Sequence, residues 1–448
     1  MTGRTTNLRV QSRFTVSLAW FLCMWLFVLQ TINLYILRFD QSYGATAMYR
    51  MLYYLNYVGA FVLAFYSKLR FGGDVHERYY RAAIGKNHLK YQIIYIAAFV
   101  CMTPIHYFAG NAMQVYGISY FTRWLSLTIN KVAIVLTAYA VFNLCGEKII
   151  ENIVKLFLSM YYSLVIIALF RYGIGELLKS FLVIFGVGRN TACTLFLEVH
   201  EISFVFGLYI IYYLVTRKNN QGRNGIVFVL ACFAFLFAGK RIGVAGAVVA
   251  VFFNWLINKI KRSEKIIKLW GVIVFVVCFL FVMMIYDDRL FLMLNAMGIY
   301  PMGRDLLYRY FVNNTNFSPL FLGWGWGSVS TAFEYMTTMD IGHLAGNVVA
   351  LHSDVFKAYI EFGFFGFVIW LYFQTMFLPK VLLRKFGLKT AYAYCVLMTY
   401  AFVTYLTDNT EGYYQFQSML FCMISSIAYT ERKNKHTDNM VVNRSFYK

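Results

Sequence analysis

Four side chains stand where a plain structural role explains them poorly. Lys240 and Arg241, within FLFAGKRIGVAG (235–246), separate two uncharged apolar runs, 226–238 and 242–257. Arg304 follows a glycine in PMGRDLLYRYF (301–311), and His352 opens HSDVFKAYIEFGFFGF (352–367). Arginines and helix N-termini suit phosphate and other anions. A histidine just ahead of a helix N-terminus meets a dipole that favours the neutral imidazole, the form a general base needs. Anion binding combined with proton abstraction is therefore the chemistry to weigh. Metal chemistry is not expected. The eight Cys fall almost entirely in apolar stretches without a CxxC pair, and the seven His show no HExxH spacing. No cofactor is expected either.

The elements that must position these residues are membrane spans. Of 448 residues, 60% are hydrophobic, 20% aromatic and 14% charged. Soluble domains carry about 25% charged residues. Apolar stretches of about 18 residues or more read as transmembrane helices. The sequence predicts spans over 14–37, 50–67, 91–109, 124–143, 155–173, 195–215, 225–239, 242–258, 269–286, 355–378, 390–406 and 414–430. The expected fold is all-α, a polytopic helical bundle with about 12 transmembrane helices. Residues 1–430 read as a single integral membrane domain. Its one large outer loop, about 287–354, carries short helices, and 174–194 suggests an interfacial or re-entrant helix. Residues 431–448 read as a polar, disordered cytoplasmic tail.

The net charge of +21 orients the bundle. The segments between spans on one side, with both termini, carry 28 of the 41 Lys and Arg but only seven of the 20 acids. The positive-inside rule makes that side cytoplasmic. The charge is then a topology signal, and no nucleic-acid partner is expected. Lys240 and Arg241 fall on the outer side, against this bias. The span before them is only about 22 Å long at helical rise, while the hydrocarbon core is about 30 Å thick. The pair should be recessed, at a helix N-terminus where cations are disfavoured. A bound anion would offset all three penalties; snorkelling side chains on a tight turn are the plain alternative.

In the outer loop, helical spacing puts Arg304, Tyr308 and Phe311 on one face and lets Asp305 pair with Arg309. Arg309 is then structural and Arg304 the freer cation. Ser353 is placed to cap the helix after His352. Asp354, Lys357 and Glu361 share a stripe and can pair among themselves. Glu198, His200 and Glu201 in FLEVHE form a weaker candidate cluster. Trp324 and Trp326 in GWGWG (323–327) could stack on sugar faces or serve as interfacial anchors.

The stretches GKR, GRDLLYRY, GWGWG and HSD leading into EFGFFGF, in this order, resemble the superfamily of O-antigen ligases and polysaccharide polymerases. The likeness covers about 225–370; the first half agrees only in its pattern of spans. One departure is Ser353, where the superfamily often has Asn. The resemblance implies an inverting, metal-independent glycosyltransferase at the outer face of the bacterial cytoplasmic membrane. Undecaprenyl-diphosphate-linked oligosaccharide would be both donor and acceptor. By this analogy Arg241 and Arg304, helped by Lys240, hold the diphosphate, and His352 is the general base. Tyr308, Asp354, Trp324 and Trp326 would be further substrate contacts. Partners would be membrane lipid and the chain-length regulator and flippase of the same pathway. A ligase passing the glycan to another acceptor carries the same constellation. A transporter or flippase of lipid-linked glycan is the reading from another class, although no internal repeat supports it.

Overall fold

The computed structural model describes residues 20–28, 43–69, 75–109, 112–183, 191–216, 224–238, 240–260, 263–298, 303–338 and 351–445. Among the described residues every regular element is helical. In chain order they are α1 (20–28), α2 (Tyr43–Leu69), α3 (Val75–Ala109), α4 (Ala112–Cys145), α5 (Lys148–Leu182), α6 (Ala192–Leu197), α7 (His200–Thr216), α8 (Gly225–Phe237) and α9 (Arg241–Lys259). They continue with α10 (Glu264–Tyr286), α11 (Arg289–Ala296), α12 (Arg304–Asn314), α13 (Ser328–Thr338), α14 (Asp354–Tyr372), α15 (Leu378–Phe386), α16 (Leu388–Thr407) and α17 (Tyr414–Ser445). Among the described residues, length and composition qualify five helical stretches as membrane-crossing: Tyr120–Cys145, Lys148–Leu182, Arg241–Lys259, Glu264–Tyr286 and Asp354–Phe386. Much of the expected span 14–37 lies outside the described residues.

Three expectations change in detail. The stretch expected at 195–215 is two helices, because Glu198 and Val199 leave helical geometry between α6 and α7. Of the segment 174–194, residues 174–182 form a short helix set off from the rest of α5 by a kink at Gly173, whose φ of 81° lies outside helical geometry. The tail after Thr430 is helical as far as Ser445 rather than disordered. Its apolar first half, packed on α7, nucleates a helix whose propagation needs little further stabilisation.

The chain divides into two compact units. One comprises residues 1–91, 132–256 and 413–448. Its centre is α7, buried from Ile202 to Tyr212, with Phe204 against Tyr413 and Phe416. Tyr212 and Ser426 share a buried hydrogen bond of 2.8 Å. The other unit comprises residues 92–131 and 257–412. Here Trp270 of α10 donates to Thr399 of α16 at 2.9 Å. The Tyr392 hydroxyl, donating to the Ser263 carbonyl at 2.8 Å, ties the starts of the same two helices.

One feature of the second unit decides where its site lies. Gly363 has φ 70° and ψ −175° inside α14. The helix folds back on itself there. Tyr359 packs 5.7 Å from Phe367, and Trp370 lines the same cavity as Asp354. A straight helix would separate residues 354 and 370 by about 24 Å. The backbone at 321–325 closes over the apex: Phe364 N–H donates to Phe321 O at 2.9 Å and Trp324 N–H to Ile360 O at 2.8 Å. Gly323 and Gly363 touch backbone to backbone, and a Cβ on either would overlap the other strand of chain. The glycines of GWGWG and EFG therefore belong to one joint.

Candidate functional site

In the second unit the site is built at the start of α14. Ser353 caps the helix, its Oγ accepting from Phe356 N–H at 3.1 Å, as its type and position predicted. His352 precedes it with φ 50°, one of two non-glycine residues among those described in the left-handed region. Two groups hold it. Its carbonyl accepts from the Tyr308 hydroxyl at 3.3 Å, and its Nδ1 lies 3.8 Å from Asp408 Oδ1. That distance is an ion-pair separation once the imidazole is protonated, longer than a hydrogen bond. The side chain keeps 26% of its surface accessible.

Asp408 is buried, in a loop that two hydrogen bonds lock to α14. Its carboxylate accepts from Asn409 N–H at 2.8 Å. Its carbonyl accepts from Asp354 N–H at 3.2 Å. The Asp354 carboxylate accepts from Glu411 N–H at 2.6 Å. The Glu411 carboxylate in turn forms a salt bridge with Lys131 of α4. Asp354 is thus a buried brace. Lys357 and Glu361 line a cavity with Asp354, Lys131, Glu411 and Trp326. The stripe predicted from spacing is present, but its first carboxylate is committed to the α16–α17 loop. Glu361 Oε1 instead meets Val329 N–H at 3.4 Å, at the start of α13, where the helix dipole favours a carboxylate.

Helix α12 places Tyr308 and Phe311 inward with Leu307. Tyr308 lies between Phe291 and Phe356, and burial pushes its phenol pKa up, so the hydroxyl stays a neutral donor. Of the candidate substrate contacts, Tyr308 and Trp326 are buried, Trp326 against Phe99 and Phe362. Trp324 is half-buried beside Phe311. Arg304 sits one helical turn before Tyr308, half-exposed, with no salt bridge to a described residue. The expected Asp305–Arg309 pair is not formed. Arg309 lies 3.6 Å from Asp288 instead, because the left-handed turn at Asp288 after α10 brings a second carboxylate within reach.

In the first unit, Arg241 is the first residue of α9. It is exposed, and its Nη2 donates to the Val183 carbonyl at the end of α5 at 2.9 Å. Lys240 differs. Its ammonium pairs with Glu198 at 2.8 Å and is 13% exposed. The FLEVHE cluster therefore supplies the counter-charge of Lys240, with His200 3.7 Å from the same carboxylate. Helix α8, at 13 residues, rises only about 20 Å.

Sequence reasoning missed Asp408, Glu411 and Lys131. Lys131, a lone cation inside an apolar span, was the available signal, since such residues are kept for a partner. Asp408 is 56 positions from His352, and no spacing rule connects them.

Residues 226–371 match the model of a family described as O-Antigen ligase. The match spans Lys240, Arg241, Arg304, GWGWG and His352. Over this third of the chain the protein is therefore similar to O-antigen ligases, in the region where its motifs carry that resemblance. No curated protein matches the chain at significant similarity.

Proposed function

We propose that this chain is an inverting membrane glycosyltransferase that joins polyprenyl-diphosphate-linked oligosaccharide repeat units into a surface polysaccharide. The observation that carries the reading is the joint between α12 and the His352 turn. Tyr308 holds the His352 carbonyl one helical turn from Arg304. A base and a cation unpaired among the described residues are thus built on one rigid support.

In the reaction, the acceptor hydroxyl oxygen attacks the anomeric carbon while the bond from that carbon to the diphosphate oxygen breaks. His352 Nε2 takes the hydroxyl proton. Asp408 stabilises the imidazolium that results. Arg304 and Arg241 bind the diphosphate and stabilise the charge gathering on it as it leaves. Lys240, neutralised by Glu198, has a secondary share. A diphosphate leaves as a stable anion, so the step needs neither a metal nor a protonated acid.

The reading of twelve spans with both termini cytoplasmic, which rests on the distribution of Lys and Arg, has Gly363 towards the outer side and the reaction at the outer face. Helix α16 rises about 30 Å from Leu388 to Asp408, about the thickness of the hydrocarbon core. His352, at the foot of the arm of α14 that leads up to Gly363, then lies level with the membrane boundary and below the apex. A lipid-borne diphosphate can reach it there.

The family description favours a second reading, transfer of a finished glycan to a different acceptor. Purified protein in nanodiscs, given lipid-linked repeat units in EDTA, is expected to lengthen them into a ladder, and His352→Ala to produce none. Transfer only when a different glycolipid acceptor is added would favour the ligase. Loss of all activity in EDTA would contradict the proposed chemistry.

A further inference from the structure

We propose that the outer end of α5 is the track for the prenyl chain of the carrier lipid. This rests on the reading of Arg241 as a diphosphate ligand. Residues 148–172 already rise about 37 Å, enough to cross a hydrocarbon core of about 30 Å. Gly173 then breaks the helix, and residues 174–182 are surplus to the crossing. They are amphipathic. Ile174, Leu178 and Leu182, 67%, 57% and 45% exposed, repeat every four residues and form one stripe. Phe170, 85% exposed, lies just before the break. The Glu176–Lys179 pair at 2.7 Å is polar and exposed. The remaining side packs inward through Ser180, bonded to Thr194, and through Phe181 against Phe237.

The stripe ends at a cation. Val183, the residue after Leu182, gives its carbonyl to Arg241. A row of exposed apolar side chains leading to an exposed guanidinium complements one kind of molecule: a long apolar chain joined to a compact anion. The prenyl diphosphate has that form, with its head on Arg241 and its chain running from Leu182 towards Phe170. The same carbonyl fixes the guanidinium, so chain and head are read by one element.

The test uses the full chain in nanodiscs with a diazirine-bearing polyprenyl diphosphate, and adducts are mapped by mass spectrometry. Adducts are expected on residues 172–182. Unlabelled polyprenyl diphosphate should compete, and excess phosphatidylglycerol should not. Ile174→Asn with Leu178→Asn should lower capture at least about fivefold, because two apolar contacts are lost. Val248→Asn with Phe252→Asn, at lipid-exposed positions of α9, should leave it unchanged. Adducts spread over all exposed helices, competition by phosphatidylglycerol, or no adducts at all would each overturn the proposal, the second by showing ordinary annular lipid. Focused adducts without glycan transfer would instead count against the enzymatic reading and leave the track standing.

Discussion

At the scale of the residue, the proposed base is held by what surrounds it rather than by its own preference. His352 occupies a left-handed conformation that is uncommon outside glycine, although His is among the residues that tolerate it. Tyr308 and Asp408 fix its two ends. The Asp408 carboxylate stands 3.8 Å from the imidazole, and Asp408→Asn keeps the shape and removes the charge. Its kcat is expected to fall about tenfold to a hundredfold, within the range of acid–base effects, with KM nearly unchanged. Steady-state kinetics on lipid-linked repeat units checks this, and a change confined to KM would reassign Asp408 to substrate binding. The two arginines of α12 separate in the same assay. Arg304→Ala should cost on the order of 10²-fold in kcat, as loss of a charge-stabilising group does. Arg309, in an exposed pair with Asp288, should cost less than a few-fold, since such pairs contribute about 0–1 kcal/mol.

At the scale of the element, the fold-back of α14 does most to build the site. Without the reversal at Gly363, His352 and Trp370 would sit at opposite ends of one long helix. Gly363→Ala adds a Cβ directly against Leu322 and Gly323 at a positive φ. Backbone strain of this kind costs about 1–3 kcal/mol before the overlap is counted. The variant is expected to lower the thermal midpoint of the detergent-solubilised protein and to inactivate it. The control is Gly175→Ala, with nothing within 4 Å of the added atom, which should change neither. An unaltered midpoint in Gly363→Ala would mean that the apex is more pliable than its contacts imply. The same joint links GWGWG to EFGFFGF: Gly323 and Gly363 each make room for the backbone of the other segment.

At the scale of the whole molecule, the outer-face reading depends on the orientation that the distribution of Lys and Arg predicts. Cytoplasmic segments rich in Lys and Arg resist translocation. Reporter fusions after residue 448 and within 258–268 are expected to report the cytoplasm, and a fusion within 287–300 the outer side. The opposite pattern would place His352 on the inner face and remove the proposed reaction. The comparison with known proteins bears on residues 226–371, where all four singled-out side chains lie.

How much was legible in the sequence follows from what each kind of signal encodes. Local signals carried far. Apolar runs marked the helices, Ser353 marked a cap, and spacing in PMGRDLLYRYF put Arg304, Tyr308 and Phe311 on one face. Each depends only on neighbours within a turn or two of helix. Long-range pairing was not legible. Arg309 chose Asp288 over Asp305, Lys240 found Glu198, and Asp354 was taken by the backbone N–H of Glu411, because charged side chains meet whichever polar partner the packed helices bring within about 4 Å. The reversal at Gly363 was hidden for the same reason: an apolar run reads alike whether it crosses once or folds back. The sequence alone therefore determined an all-helical membrane protein and the residue types of its site. Only the tertiary structure decided which of them are neutralised, which are braces, and which remain to meet a substrate.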